Sequence, residues 1–300
     1  MRIFRKQSHL PDSQFGLVLL IPAIFVIGFV IVFPLLQAVG YSFTDKTILW
    51  PQIHWKGLDN YKRLFSDVVF WEVFYNTVVI CFASMTIQLI LGLFLALLLN
   101  QPIKGRNLLR GMFLNIWVIP FIVVALLWMW LFNAEYGLIN YLLREFRLIK
   151  KFVPWFALEG GAKVAIVVTY AWRGTPFSMI MLLAGLQTIP EEIMDAAKMD
   201  GAGPLARFIH VILPHLRQVI VIISLLSVIQ LFQNLIVPFV LTRGGPIYST
   251  TTFSLHVYKT AFTSFRMGEA AAIGCIWLIF LFLFSVFYLA VFLRKGTKFL

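Results

Sequence analysis

The sequence predicts an all-α, polytopic membrane protein with six transmembrane helices and no separate soluble domain. Three observations carry that expectation. Hydrophobic residues make up 60% of the chain and charged residues 13%, with a mean hydropathy of +0.88, a balance that a water-exposed surface cannot accommodate. Six apolar stretches reach the roughly 20 residues that a helix needs to cross a hydrocarbon core. The segments between them run to about 30 residues or fewer, so the 300 residues read as a single membrane domain.

The first span is placed at 15–39. It follows Arg2, Arg5 and Lys6, as the core of a signal peptide would. Its apolar run is too long for a cleaved segment and no small-residue cleavage site follows, so it is expected to remain as a span. The second span is placed at 76–99 and the third at 111–132. The fourth, at 164–186, contains Pro176, which removes a backbone donor and predicts a kink or interruption near the bilayer midplane. The fifth and sixth are placed at 219–241 and 270–293. Outside them, 41–71 and 133–163 hold several Trp, Tyr and Phe, which read as interfacial anchors or as a landing surface for another protein.

The net charge of +12 does not point to nucleic acid, because the basic residues are scattered over every loop; anionic lipid headgroups are the expected partners. Cys81 and Cys275 fall inside predicted spans, where they act as small hydrophobes, and no disulfide or metal site is indicated. No Gly-x-x-x-x-Gly-Lys-Ser/Thr loop occurs, and His9, His54, His210, His215 and His256 are dispersed. No span carries a pair of carboxylates, so neither nucleotide binding nor enzymatic catalysis is expected of this chain, and no cofactor of its own.

The longest polar stretch, 188–214, is patterned as two short helices. Thr188 with Glu191 offers a capping box, Pro190 suits a first turn, and Glu191 and Glu192 suit the positive end of a helix dipole. Asp195-Ala196-Ala197 leaves a face almost without side chains, and Asp200-Gly201 offers a turn tolerating positive φ. A second helix is expected from Pro204 towards Ile212, separate from the span that Pro214 opens.

Here the chain resembles the permease subunits of binding-protein-dependent ABC importers. The family's loop runs Glu-Ala-Ala, three residues, Gly, nine residues, then Ile-x-Leu-Pro. This sequence keeps Ala196, Ala197, Gly201, Leu213 and Pro214 at that spacing, with Asp195 for Glu and Val211 for Ile. Similarity extends over nearly the whole chain. Asn76-Thr77, Leu91-Gly92-Leu93, Trp172-Arg173-Gly174-Thr175-Pro176-Phe177 and Ala184-Gly185-Leu186-Gln187 resemble the family's second and fourth helices. Leu241-Thr242-Arg243-Gly244-Gly245-Pro246 looks like the outer loop of the first of two permeases in carbohydrate importers of the maltose and glycerol-phosphate type.

The resemblance implies the type I importer fold and an ATP-driven import of sugar or oligosaccharide by alternating access. It also implies a second, different permease, a dimeric ATPase, and a periplasmic or extracellular solute-binding protein. The setting would be a bacterial or archaeal inner membrane, with ATPase coupling through Glu191, Glu192, Asp195, Ala196, Ala197, Asp200, Gly201, Leu213 and Pro214. Lys plus Arg counts tie between the two sides. Shorter loops on the terminal side lean towards cytoplasmic termini, and a loop that docks an ATPase must be cytoplasmic.

Polar residues inside spans mark a path or glue helices together. Ser224, Ser227, Gln230 and Asn234 recur at intervals of three, three and four, which suggests one helical face, with Gln233 beside it. The maltose-type permease contacts sugar at the positions matching Ser227, Gln230 and Asn234. The expected substrate path therefore comprises Tyr170, Arg173, Gly174, Ser178, Ser227, Gln230 and Asn234. Arg173, the one charge well inside a predicted span, reads either as structural or as facing the cavity. An importer of a non-sugar nutrient is the alternative, and a secondary transporter a more distant one.

Overall fold

The computed structural model describes residues 12–293, and among them the regular structure is helical. The charges at Arg2, Arg5, Lys6, Arg294, Lys295 and Lys298 lie outside the described residues. The first span is built from α1 (Asp12–Ile27), a π-helical turn (Gly28–Val32) and α2 (Phe33–Tyr41). The widened turn precedes Pro34, which cannot donate to the carbonyl four residues back, so the helix opens by one residue instead of breaking. From Leu20 to Tyr41 no residue of this span is buried within the chain.

A short amphipathic helix, α3 (Asp59–Ser66), lies beside the C-terminal end of that span. Asn60 donates to the carbonyls of Ser42 and Thr44 at 2.9 and 2.8 Å. Then α4 (Val68–Asn100) begins with Asp67 accepting from the Val69 N–H, eight residues before the predicted start at 76.

The third span departs from expectation. Instead of one helix over 111–132, the chain forms α5 (Arg106–Val118) and α6 (Phe121–Leu131), which meet at 95°. Pro120 lacks an N–H, and its ring drives Ile119 out of the helical region to ψ 129°. After α7 (Leu138–Glu145) and a 3-10 turn (Trp155–Ala157), α8 (Glu159–Leu186) crosses the bundle. The interruption expected at Pro176 does not occur, since α8 is one helix along its whole length. Its position explains why. It is the most buried span and packs along α4, α5 and α11, so tertiary contacts hold what one missing backbone bond loosens.

The polar hairpin comprises α9 (Glu191–Met199) and α10 (Pro204–Arg207). The second helix is not separate from the fifth span. A π-helical turn (Phe208–Ile212) carries α10 into α11 (Leu213–Gln233), and once again the widened turn meets a proline, Pro214. Nor does the fifth span reach 241 as a single helix. Asn234 is extended, with ψ 108°, and a new short helix, α12 (Ile236–Leu241), follows. The following loop then leads through α13 (Phe253–Tyr258) and a π turn (Lys259–Thr263) to the last span, α14 (Met267–Leu293).

Two glycines set how closely the spans cross. A Cβ at Gly92 would lie 2.6 Å from the Ser178 Cβ, so α4 and α8 meet at near backbone contact. A Cβ at Gly185 would lie 2.8 Å from a Leu216 methyl, which ties the C-terminal end of α8 to α11 just behind the hairpin.

Candidate functional site: a polar cavity inside the spans and an exposed hairpin

The two breaks are where the cavity forms. A broken helix leaves carbonyls without intrahelical partners, and in a bilayer each must be satisfied by protein. At the first break, Arg173 on α8 donates from Nε to the Ile119 carbonyl at 3.1 Å, and its guanidinium lies 3.6 Å from the centre of the Phe121 ring. At the second, Tyr170 donates to the Asn234 backbone and side-chain oxygens at 3.2 and 3.1 Å, and Ser254 donates to the same backbone carbonyl at 3.1 Å. The Asn234 side chain also accepts from the Val237 N–H at 3.1 Å, capping α12. Tyr170 and Arg173, one turn apart on α8, thus each support one break.

Between the breaks lies a cavity of about 280 Å³ lined by Trp117, Phe121, Arg173, Gln230, Gln233 and Asn234. A recess of about 20 Å³ adjoins it, sharing Trp117, Phe121, Arg173 and Gln230 and adding Gln88, Tyr170, Gly174, Phe177 and Ser227. Trp117 stacks on Phe177 with ring centres 5.6 Å apart. The result is a set of aromatic faces beside four amides, two hydroxyls and one cation. Of the expected path residues, Tyr170, Arg173, Gly174, Ser227, Gln230 and Asn234 come together here. Ser178 does not; it is buried in the α4–α8 seam against Gly92.

The polar stripe on α11 also divides. Ser224 donates to the Ile220 carbonyl at 2.7 Å and is hydrogen-bonded to the Tyr288 hydroxyl of α14, so it fastens two spans and lines neither cavity. Steps of three residues fall short of a full turn, so from Ser224 to Asn234 the face drifts by about 80° around the helix. Gln88, Trp117 and Phe121 were not singled out from the sequence. An amide in the middle of a mostly apolar second span is the available signal for Gln88.

On the hairpin, the Thr188–Glu191 capping box does not form. Thr188 donates to the Gly185 carbonyl at 2.8 Å, and Pro190 occupies the cap position with extended ψ. Glu191, Glu192, Asp195, Ala196 and Asp200 are exposed, and Asp195 pairs with Lys198 at 2.7 Å on the surface. The far end of α9 closes as expected at Gly201, with φ +76°. The Gly201 N–H reaches the Lys198 carbonyl and the Ala202 N–H reaches that of Ala197, the paired bonds of a glycine-terminated helix. Met199 and Leu205 are 88% and 70% exposed beside these acids, an apolar contribution absent from the expected set. Leu213 and Pro214 are also exposed, at the root of the hairpin.

A third feature is an apolar cleft of about 940 Å³ between the first and last spans, lined by Leu35, Tyr41, Trp50, Ala271 and Leu278 among others. It reaches Gln233, which also lines the polar cavity.

Residues 88–298 match the model of the binding-protein-dependent transport system inner membrane component family. The sulfoquinovosyl glycerol transport system permease protein SmoG of Agrobacterium fabrum (strain C58) is 34% identical over 286 residues, covering 95% of this chain and 91% of that protein. The trehalose/maltose transport system permease protein MalF of Thermococcus litoralis is 33% identical over 283 residues, covering 93% and 94%. Among solved structures, a chain of a bacterial alginate ABC transporter in complex with an alginate pentasaccharide-bound periplasmic protein superposes with a TM-score of 0.80. The match covers 95% of this chain and 96% of that one at 17% identity, and so bears on fold alone.

Proposed function

The chain belongs to the family of binding-protein-dependent transport system inner membrane components, and from that premise we propose that it forms half of the path by which a carbohydrate crosses the membrane. The observation that carries this reading is the cavity's chemistry. Trp117 and Phe121 offer apolar ring faces, and Gln230, Gln233 and Asn234 offer amides that both donate and accept. A sugar has the complementary make-up, with C–H faces and a rim of hydroxyls. Two relatives named for sulfoquinovosyl glycerol and for trehalose/maltose support the same substrate class.

In this reading a second, distinct permease completes the path. The first span, unburied in this chain, and the cleft beside it are the surface offered to that partner. A binding protein delivers substrate from outside. The exposed hairpin docks a dimeric ATPase, which alone binds ATP and Mg. Asp195 and the small Ala196–Ala197 face enter a groove on the ATPase, with Met199 and Leu205 supplying apolar contact. That places the hairpin in the cytoplasm and, with six crossings, both termini with it. ATP-driven closure then moves the hairpin roots at Gly185 and Leu216, which α8 and α11 connect to the cavity.

The test is reconstitution of the complex in liposomes with its binding protein and a panel of sugars. A carbohydrate that stimulates ATP hydrolysis and accumulates inside the vesicles is the expected result. Stimulation by an amino acid or peptide, with none by any sugar, would assign the path to another nutrient.

A further inference from the structure

Gln88 lies about one turn beyond the midpoint of α4, facing the interior of the spans, and is 4% exposed. Among the described residues its amide makes no hydrogen bond. A buried amide in a bilayer without a partner is costly, and the usual offset, a bond to a neighbouring helix, is missing here. The amide instead lines the recess with Ser227 and Gln230, whose side chains are likewise unbonded among the described residues. Gly174 makes room for it, since a Cβ there would overlap Gln88 Oε1. The recess, at about 20 Å³, exceeds the ~10–15 Å³ that one water requires and is far below the volume of a sugar ring.

We propose that Gln88 is a substrate-facing residue whose amide, with Ser227 and Gln230, forms a recess for a single hydroxyl group of the transported carbohydrate. Three groups that each donate and accept surround a volume sized for one oxygen. A water fills it before substrate arrives, and a sugar hydroxyl displaces that water while restoring its bonds. The sugar ring itself stays in the larger cavity, between Trp117, Phe121 and the amides of Gln233 and Asn234. A bulky substituent on that hydroxyl is excluded by Gly174, Phe177 and Leu231. The hydroxyl assignment rests on the carbohydrate reading above, whereas the exposure of Gln88 to the path does not.

Two measurements on the assembled complex separate these layers. In a background with Cys81 and Cys275 replaced by alanine, Gln88→Cys, Ser227→Cys and Ile80→Cys variants are treated during ATP turnover with Ag⁺, a water-borne thiol reagent small enough for the recess. The Gln88→Cys variant is expected to react at a rate close to that of Ser227→Cys and well above that of the core control Ile80→Cys. Reaction no faster than Ile80→Cys overturns the placement of Gln88 on the path, whatever the substrate.

Uptake of glucose, galactose, trehalose, maltose and glucuronate then identifies an accepted sugar, whose monodeoxy analogues are compared in wild type and Gln88→Leu. Wild type is expected to reject one deoxy analogue by about 5- to 150-fold, and Gln88→Leu to lose that discrimination while still assembling. The same discrimination in both proteins overturns the hydroxyl assignment. Rejection of every sugar by wild type would count against the carbohydrate reading and the hydroxyl assignment with it, leaving the labelling result to decide the position of Gln88.

Discussion

Arg173 and Ile119 are joined across the bundle. The Nε of Arg173 donates to the Ile119 carbonyl at 3.1 Å while its guanidinium lies over Phe121, so one side chain grips both arms of the break between α5 and α6. The two readings that the sequence left open for Arg173, structural support and cavity lining, are both met by its position.

Loss of that grip should loosen the corner. Arg173→Met removes a charge-assisted hydrogen bond and a cation–π contact, and a thermal scan of the solubilised complex is expected to report about 1–3 kcal/mol of destabilisation. Arg173→Lys keeps the charge without the planar geometry and should recover only part of the loss. A wild-type melting profile for Arg173→Met would show that Pro120 alone holds the corner.

The second break depends on Asn234. Asn234→Ala removes the cap on Val237 and one acceptor for Tyr170, an expected cost of about 0.5–2 kcal/mol. Tyr170→Phe should cost less. Because the two share a hydrogen bond, the double variant should fall short of the sum of the singles. Strict additivity, measured by denaturation of the complex, would mean that the bond contributes nothing.

The two close glycines should fail in different ways. Gly92→Val drives a side chain into Ser178 and the Met179 backbone, so yield and thermal stability are expected to drop by about 1–3 kcal/mol through overpacking. Gly174→Ala displaces the Gln88 amide, a flexible group, and should raise the KM for uptake more than it lowers the melting temperature. The reverse pattern would exchange the roles of seam and recess.

On the hairpin, Gly201 sits at φ +76°, which proline cannot adopt. Gly201→Pro and Ala197→Trp are expected to abolish uptake and release or uncouple the ATPase while the permease stays in the membrane. Met199→Asp tests the apolar part of the same surface and should weaken co-purification of the ATPase. Full substrate-stimulated ATP hydrolysis in all three variants would remove the hairpin from coupling.

Finally, the purified chain should hydrolyse no ATP by itself. Hydrolysis that survives removal of contaminating ATPases, measured by phosphate release, would overturn the division of labour between permease and ATPase.

Five of the six spans, the acidic hairpin and its glycine stop were legible in the sequence, because hydropathy and turn chemistry act over a few neighbouring residues. The positions of the breaks were only half legible. Proline was visible at 120, 176, 214 and 238, yet the chain turns sharply only at Pro120. At Pro214 the helix absorbs a wider turn, at Pro176 the packed surroundings of α8 carry it through, and the second break falls at Asn234. Which polar side chains meet was decided by the tertiary structure alone. Helical period relates Ser224, Ser227 and Gln230 to one another but does not say what lies opposite each of them. Only the crossing of α4 and α8 turns Gln88 towards Gly174 and Ser227, and only the packing of α14 takes Ser224 away to Tyr288. A local pattern fixes a direction about one helix axis; the partner in that direction comes from a segment distant in sequence, and its place is set by how the helices pack.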